Sequence, residues 1–503
     1  MTPCARNSQN WQSQNLRPKL LSDASLRSEK GWPDTLEQVA GCYRNGWPNA
    51  LEYPIYQEKA VAMLTSDQKV ILRELSLYTT FLAKALSPLA VPTFCELLLG
   101  GMLSGEGFVT QALLTIHYEN FWNSYHHWVS QGKWRWRNLA HRLILLVSSK
   151  VPDGQTIPLI LDDLTFERCS NKAPACRIHH QHSKKKNRCT YLLGQCWVFL
   201  AIPFQRPSDK VHTAIPVMAF PSPKSGNISK LKIAKAMLKS VRQTLQGRAL
   251  HLLTDCWFMN HTMMQPALEL GYEVIGHIPK NRALYALPVD ALPPSPFKRK
   301  GRKRKYGVKM TPEEVEKLPE TRMTLWLYRK NRTVSFRSCI CRARFLKGRI
   351  VRVVWSRFEN DKGETETKLF LSTNPDLKAD EVLLAYSLRW PIEPMFQQLK
   401  HEFGCKHLWQ QKLRTLLRWM HIKMAGYALL QLLTICQNPA AIALAKTAWR
   451  HPDTVTAGML RRALFWIIPQ FRIRGCWNRY EQKLELKLPD KNERSDSFLE
   501  KAA

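Results

Sequence analysis

Acid is what this chain lacks most. Among 503 residues, 40 Asp and Glu face 75 Lys and Arg, a formal net charge of +35. Solubility needs far less, so a polyanionic partner is expected: DNA, RNA or an anionic membrane surface. Long apolar runs are missing too. No stretch reaches about 18 uncharged apolar residues, the length a bilayer demands. The nearest, Met424 to Cys436, is shorter and contains Gln431. The opening MTPCARNSQNWQSQN has no apolar core of the kind a secretory signal carries, so a cytosolic chain with reduced thiols is expected. Cysteine pairs with two to four residues between them are also absent; Cys339 and Cys341, one residue apart, stand on an expected strand. Cys169, Cys176, Cys189 and Cys196 bracket His179, His180 and His182, but six, twelve and six residues lie between them. Zinc ligands usually come in pairs separated by roughly two to four residues, so no zinc site is expected. No Walker A pattern suggests ATP, and no RNP-like or KH-like motif suggests RNA. DNA leads on these exclusions.

A hydrophobic content of 45% allows sizeable cores and excludes a wholly disordered chain. At roughly 150 residues per domain the length suggests about three units. Residues 1–60 are polar and broken by Asn45-Gly-Trp-Pro, which reads as a weakly ordered arm. Residues 61–150 repeat apolar positions at helical spacing (Leu72, Leu75, Phe81, Leu82, Leu86), interrupted by Pro88, Pro92 and Gly100-Gly101. Their stretch with Trp122, Trp128, Trp134 and Trp136 among Lys133, Arg135, Arg137 and Arg142 fits either core tryptophans or a DNA-binding helical region.

The pattern then changes to strands. Ile157 to Asp163, Leu192 to Pro203, Val211 to Phe220, Ala249 to Asp255 and Tyr272 to Ile278 are short apolar runs, with helices expected at Lys230 to Leu245 and His261 to Leu270. This order predicts one mixed α/β sheet flanked by helices. A proline-rich break leads into eight Lys or Arg within residues 298–309, among them Lys298, Arg299, Arg302 and Arg304. Such a run is a solvated linker or a backbone-tracking DNA arm. Alternating β-branched segments follow up to Ser372, and helical spacing returns from Ala379.

Two of the apolar runs end in acids, Asp162-Asp163 and Asp255. Carboxylates at neighbouring strand ends can converge on a hard cation such as Mg²⁺, although Asp also terminates strands for purely local reasons. Further on, Tyr386, Arg389, Glu393 and Lys400 follow the spacing Y-x2-R-x3-E-x6-K. Glu393 and Lys400 share a helical face. Pro391 and Pro394 predict a kink or a fresh helix start near Pro391 or Ile392.

These four residues, with Trp390 after the arginine, resemble the tyrosine-arginine-glutamate-lysine signature of bacterial cut-and-paste insertion-sequence transposases of the DDE superfamily. The resemblance extends upstream through LTDCWF and LILDDLTFERCSNKAP and covers roughly residues 155–415. It implies an α/β, ribonuclease-H-like (retroviral-integrase-like) catalytic domain over 151–282 and 373–412. It also implies a basic linker and β-rich insertion over 283–372, a helical DNA-binding region over 61–150, and a C-terminal helical region over 413–503. Asp163, Asp255 and Glu393 are the implied acid triad. Asp163 is chosen over Asp162 because a Thr-containing turn follows it, although Leu164 stands where Thr is usual. Alternation along a strand lets only one of the two face the metals.

The implied chemistry uses two Mg²⁺ (or Mn²⁺) ions about 4 Å apart. They would first activate water against the element end, then the freed 3′-OH against target DNA. Tyr386, Arg389 and Lys400 would contact the DNA end. Trp390, with Trp355 as a weaker candidate, would stack on an extruded base. The implied partners are double-stranded DNA and a second copy of the chain in a synaptic complex, in a bacterial cytoplasm near the nucleoid. A ribonuclease-H-like endonuclease without strand transfer and an inactive DNA-binding derivative are the rival readings.

Overall fold

A computed structural model describes residues 64–180, 190–223, 227–288, 305–359 and 365–486. The N-terminal arm and the basic positions Lys298, Arg299, Arg302 and Arg304 lie outside the described residues.

The apolar run at Ile157 becomes the central strand β1 (Ile157–Glu167). A second short strand, β2 (Cys176–His180), leads to β3 (Tyr191–Gln205) and β4 (His212–Pro221). From Gly194 to Pro203 every residue of β3 is buried, as a strand covered on both faces requires. β1 pairs antiparallel with β3, and β3 with β4. Helix α6 (Asn227–Thr244) crosses to β5 (Leu250–Thr254), which lies parallel to β1 on its other side. Helix α7 (His261–Glu269) then crosses to β6 (Glu273–Ile278), parallel to β5. The spatial order β4-β3-β1-β5-β6 fits a ribonuclease-H-like sheet.

One expectation needs correcting. β1 does not stop at its two acids but runs on to Glu167. Its parallel pairing with β5 ends at Leu161↔Thr254, while its antiparallel pairing with β3 continues to Glu167↔Gly194. Those later ladder bonds hold the polar residues in strand conformation.

The sheet also extends past β6. β11 (Thr365–Ser372) pairs with β6, β10 (Arg349–Glu359) with β11, and β9 (Lys330–Ala343) with β10. β7 (Leu284–Ala286) and, after the short helix α8 (Pro312–Glu316), β8 (Glu320–Leu327) both join β9.

The helices that precede β1 are not a detached module. α1 (Ser66–Ala83) opens with a capping box between Thr65 and Gln68. α2 (Val91–Leu103) is buried along its whole length. After α3 (Val109–Leu113) and α4 (Trp122–Gln131), α5 (Trp136–Ser148) leads into the sheet. Helix α11 (Leu413–Cys436), buried from 416 to 434, packs against α1, α2, α4, α5 and β4. It is a core element of the subunit. A side chain at Gly426 would meet Met102 at 2.9 Å, so glycine lets α2 and α11 approach closely. Lys423 of α11, pushed down to about 8 by burial, donates to the carbonyls of Gly101 and Ser104 at 2.8 Å and Glu106 at 3.0 Å. It thereby satisfies oxygens that the end of α2 leaves unpaired. Trp128 and Trp134 stack at 4.8 Å, and Arg418 lies over Trp134, so these two tryptophans of the basic aromatic stretch serve packing. Among the described residues no single helix is long and apolar enough to cross a membrane.

His421 of α11 is fully buried beside Trp136. Nδ1 faces the Leu417 carbonyl at 2.7 Å and Nε2 faces the Ala219 N–H at 3.5 Å, so the neutral tautomer with its proton on Nδ1 fits both. Burial pushes its pKa down from 6.5 to about 4. The unfolded chain therefore binds the extra proton first, and stability falls as pH drops from 6.5 through about 4. The difference reaches about 3 kcal/mol. Urea unfolding of the wild type and of His421→Gln across this range should show the wild type losing that much more. Parallel curves would refute the assignment.

Candidate active site

Because β5 ends before β1 does, the register carries Asp162 of β1 alongside Asp255, the residue after β5. Asp162 lies opposite Phe199 on β3, and Asp163 opposite Val198. Directly paired residues share a face, and successive residues alternate. Phe199 packs on Phe396 of helix α10 (Ile392–His401) at 5.2 Å, so Asp162 faces α10. Asp163 faces α6, where Lys230 Nζ lies 3.2 and 3.3 Å from its two oxygens and Cys196 Sγ donates at 3.2 Å.

The second half of the site follows from the prolines. Helix α9 (Ala379–Ser387) ends, a tight turn carries Arg389 and Trp390, and α10 begins after Pro391. Glu393 thus sits in the first turn of α10, and Arg389 just before it. The Arg389 guanidinium donates from Nη1 to Asp162 at 2.6 Å and from Nη2 to Glu393 at 3.2 Å. It lies 5.9 Å from the Tyr386 ring centre, and that ring packs on Phe370 of β11. Asp255 accepts the Phe258 N–H at 3.1 Å. Three elements from distant parts of the chain meet here: β1, the end of β5 and the start of α10.

The electrostatics are those of a crowded acid centre. Burial pushes the Asp162 carboxyl up to about 7, opposed by Arg389 and assisted by Asp255 and Asp163. Burial also raises Asp255, with Asp163 adding to the rise. Burial works against the Arg389 charge, yet Asp162, Tyr386 and Glu393 together hold its proton more firmly than usual. On the α10 face three carboxylates (Asp162, Asp255, Glu393) meet one cation, Arg389, while Asp163 pairs with Lys230 on the other face. These are hard oxygen donors with an excess of negative charge, which fits a divalent cation such as Mg²⁺. In this arrangement Arg389 is the counter-ion, and among the described residues no three His, Cys, Asp or Glu side chains are gathered tightly enough to hold one metal ion.

Of the sequence-derived candidates, Asp255, Glu393, Arg389 and Tyr386 come together, joined by Asp162. Asp163 turns to the other face. Lys400 is half-buried on α10, two turns beyond Glu393. Trp390 lines a cavity of about 240 Å³ with Trp326, Tyr328, Arg329, Leu384 and Leu388. The Arg329 guanidinium stands 5.1 Å over its ring. Tyr328 and Arg329 form the β8–β9 turn with φ of 53° and 69°, a left-handed conformation that costs non-glycine residues energy. Trp355 lines a different cavity, with Phe336 and Met310. Sequence reasoning missed Lys230, Tyr328 and Arg329. The hairpin tip has no Gly, Asn or Asp to announce it, and Lys230 is one lysine of several on an amphipathic helix.

A family model described as the DDE superfamily endonuclease matches residues 95–345, just under half of the chain. The match supports a DDE-type transposase family and an enzyme of the DDE nuclease class, whose substrate is DNA and whose members use divalent metals, usually Mg²⁺. It spans Asp162, Asp163 and Asp255 and stops before Glu393. No curated protein matches the chain.

Removing Arg389 strands a buried carboxylate. Arg389→Met should lower the unfolding free energy by about 3–5 kcal/mol at pH 8. The loss should shrink at pH 6, below the Asp162 value of about 7, because the carboxyl then takes up a proton. Adding Asp162→Asn should restore most of the stability at pH 8. A pH-independent loss, or no rescue, would count against the pairing.

Proposed function

We propose that the protein is a DNA transposase that binds the terminal inverted repeats of an insertion sequence, cleaves its ends and joins them to target DNA. The observation that carries this reading is the meeting of acids from β1, β5 and α10 around one arginine, in the crevice where β5 stops and β1 continues. Asp255, Glu393 and one acid of the β1 pair would hold the divalent metal. The register beside Asp255 and the link to Arg389 favour Asp162; only the sequence likeness around Leu164 and Thr165, which lie within β1 and not in a turn, favours Asp163. When bound, the metal supplies the charge that activates an attacking oxygen and stabilises the leaving one.

The chain's own residues do the rest. Arg389, in the turn before α10, offers a planar fork for a phosphate, and Lys400 on α10 a point charge. The Trp390 ring, with Arg329 on its face, offers a platform for a base that leaves the stack. Tyr386 holds Arg389 from behind through its ring. A ribonuclease-H-like endonuclease that cuts without joining would use the same acids, and a strand-transfer product separates the two.

The test uses DNA carrying the element's flanking ends, with Mg²⁺ or Mn²⁺. Asp255→Asn and Glu393→Gln should each lower cleavage by at least about a hundredfold, with DNA binding kept. Of Asp162→Asn and Asp163→Asn, the one that behaves like Glu393→Gln identifies the first acid. Cleavage that survives in both Asp255→Asn and Glu393→Gln would sink the proposal.

A further inference from the structure

Acid is not merely scarce in this chain; it is missing from two long segments that fold side by side. Residues 120–152 and 210–254 contain no Asp or Glu. The first segment supplies α4 and α5, the second β4 and α6, and α5 packs on both β4 and α6. His141 of α5 and Ser240 of α6 join the two helices at 2.7 Å. Lys232, Lys235 and Lys239 are all exposed, at the i, i+3 and i+7 spacing that lines one ridge of α6. Among the described residues none of the three has an ion pair. Arg135 and Arg137, also exposed, stand at the start of α5. Between the two helices and β4 lies a cavity of about 470 Å³, lined by Trp136, Met218 and Phe220 on one side and by Arg137 and Lys239 at its basic margin.

A solvated helix face is the ordinary reason for exposed lysines. Such faces intersperse acids, because like charges three or four residues apart destabilise a helix. α6 carries three such repulsive steps, Lys232 to Lys235, Lys235 to Lys239 and Lys239 to Arg242, and no acid to relieve them. A surface of this kind is favourable when a polyanion supplies the missing negative charge. Its position also matters. Lys230 in the first turn of α6 reaches Asp163, and Lys239 lies about 14 Å further along the helix axis at about 1.5 Å per residue.

We infer that α6 and the start of α5 form a second DNA-binding surface, a track for the phosphate backbone of a duplex that leads away from the acid centre on the sheet face opposite α10. This rests on the reading of DNA as substrate. Contacts of this kind set affinity and salt dependence but carry no base sequence.

The experiment measures binding of the full chain to a 30-bp duplex (about three turns) by fluorescence anisotropy, in EDTA so that nothing is cut, over a series of salt concentrations. Each lost phosphate contact removes about 0.9 from the slope of log K against log salt. The triple variant Lys232→Gln, Lys235→Gln, Lys239→Gln should lower that slope by about 2–3. A charge-matched control, Lys69→Gln, Lys446→Gln, Arg450→Gln, should leave the slope near that of the wild type. Equal slopes for the triple variant and the wild type, or equal losses in the triple variant and its control, would overturn the surface. Cleavage by the wild type in Mg²⁺ is scored separately. A ridge-dependent slope without cleavage under any metal keeps the surface and removes the nuclease reading. Cleavage with an unchanged slope does the reverse.

Discussion

The candidate site depends on a difference in length between two neighbouring strands. β1 and β5 run parallel, and their pairing ends at Leu161 and Thr254. Beyond that point β1 is held only from its other side, by β3. One edge of β1 thus opens into a crevice at the residues that are acidic. Polar side chains can occupy this strand because the ladder to β3 satisfies the backbone while the missing neighbour leaves room for the carboxylates. Had β5 continued, Asp162 would lie between two strands under a helix, where an unpaired charge is costly.

The second constraint is charge balance in that crevice. Asp162 and Asp255 are both raised by burial, so the site resists holding all its acids ionised. Arg389 offsets part of this by gripping Asp162 and Glu393 at once. Its position comes from the interruption between α9 and α10. A continuous helix would place Arg389 and Glu393 on one straight face, whereas the tight turn ahead of Pro391 lets the guanidinium reach the sheet. The proline that breaks the helix thereby helps to build the site.

Much of this organisation could be read from residue order, for identifiable reasons. The buried strands announce themselves as continuous apolar runs, and the helix restart at Ile392 follows from Pro391. The extent of β1 was misjudged because an apolar run that ends in acids looks like a strand that ends, and the ladder that prolongs it comes from β3, some thirty residues away. The contact between Arg389 and Asp162 spans 227 positions, and no local pattern encodes it. Periodicity distinguishes the two faces of β1 but does not say which helix covers which, so Asp162 and Asp163 could be separated only in three dimensions. The Tyr328-Arg329 turn stayed hidden because it adopts a left-handed conformation without the residues that usually allow it.

These features bear on how a strongly basic protein can keep an acidic centre and still receive DNA. Phosphates approaching the crevice are repelled by Asp162, Asp255 and Glu393, and this repulsion is strongest where water is excluded. Arg389 cannot serve the acids and a phosphate equally, because its forked donors already point at two carboxylates. On the proposed function, whatever neutralises the acids releases the guanidinium for a phosphate, and a phosphate that draws Arg389 away leaves the acids in greater need of a cation. Occupancy of the two sites is linked through a single side chain and favours both together, which is the thermodynamic meaning of coupling. Lysines on the surrounding helices can raise the local concentration of DNA, but they do not relieve the charge conflict within the crevice. That role falls to Arg389, because among the described residues it alone touches acids from both the sheet and α10.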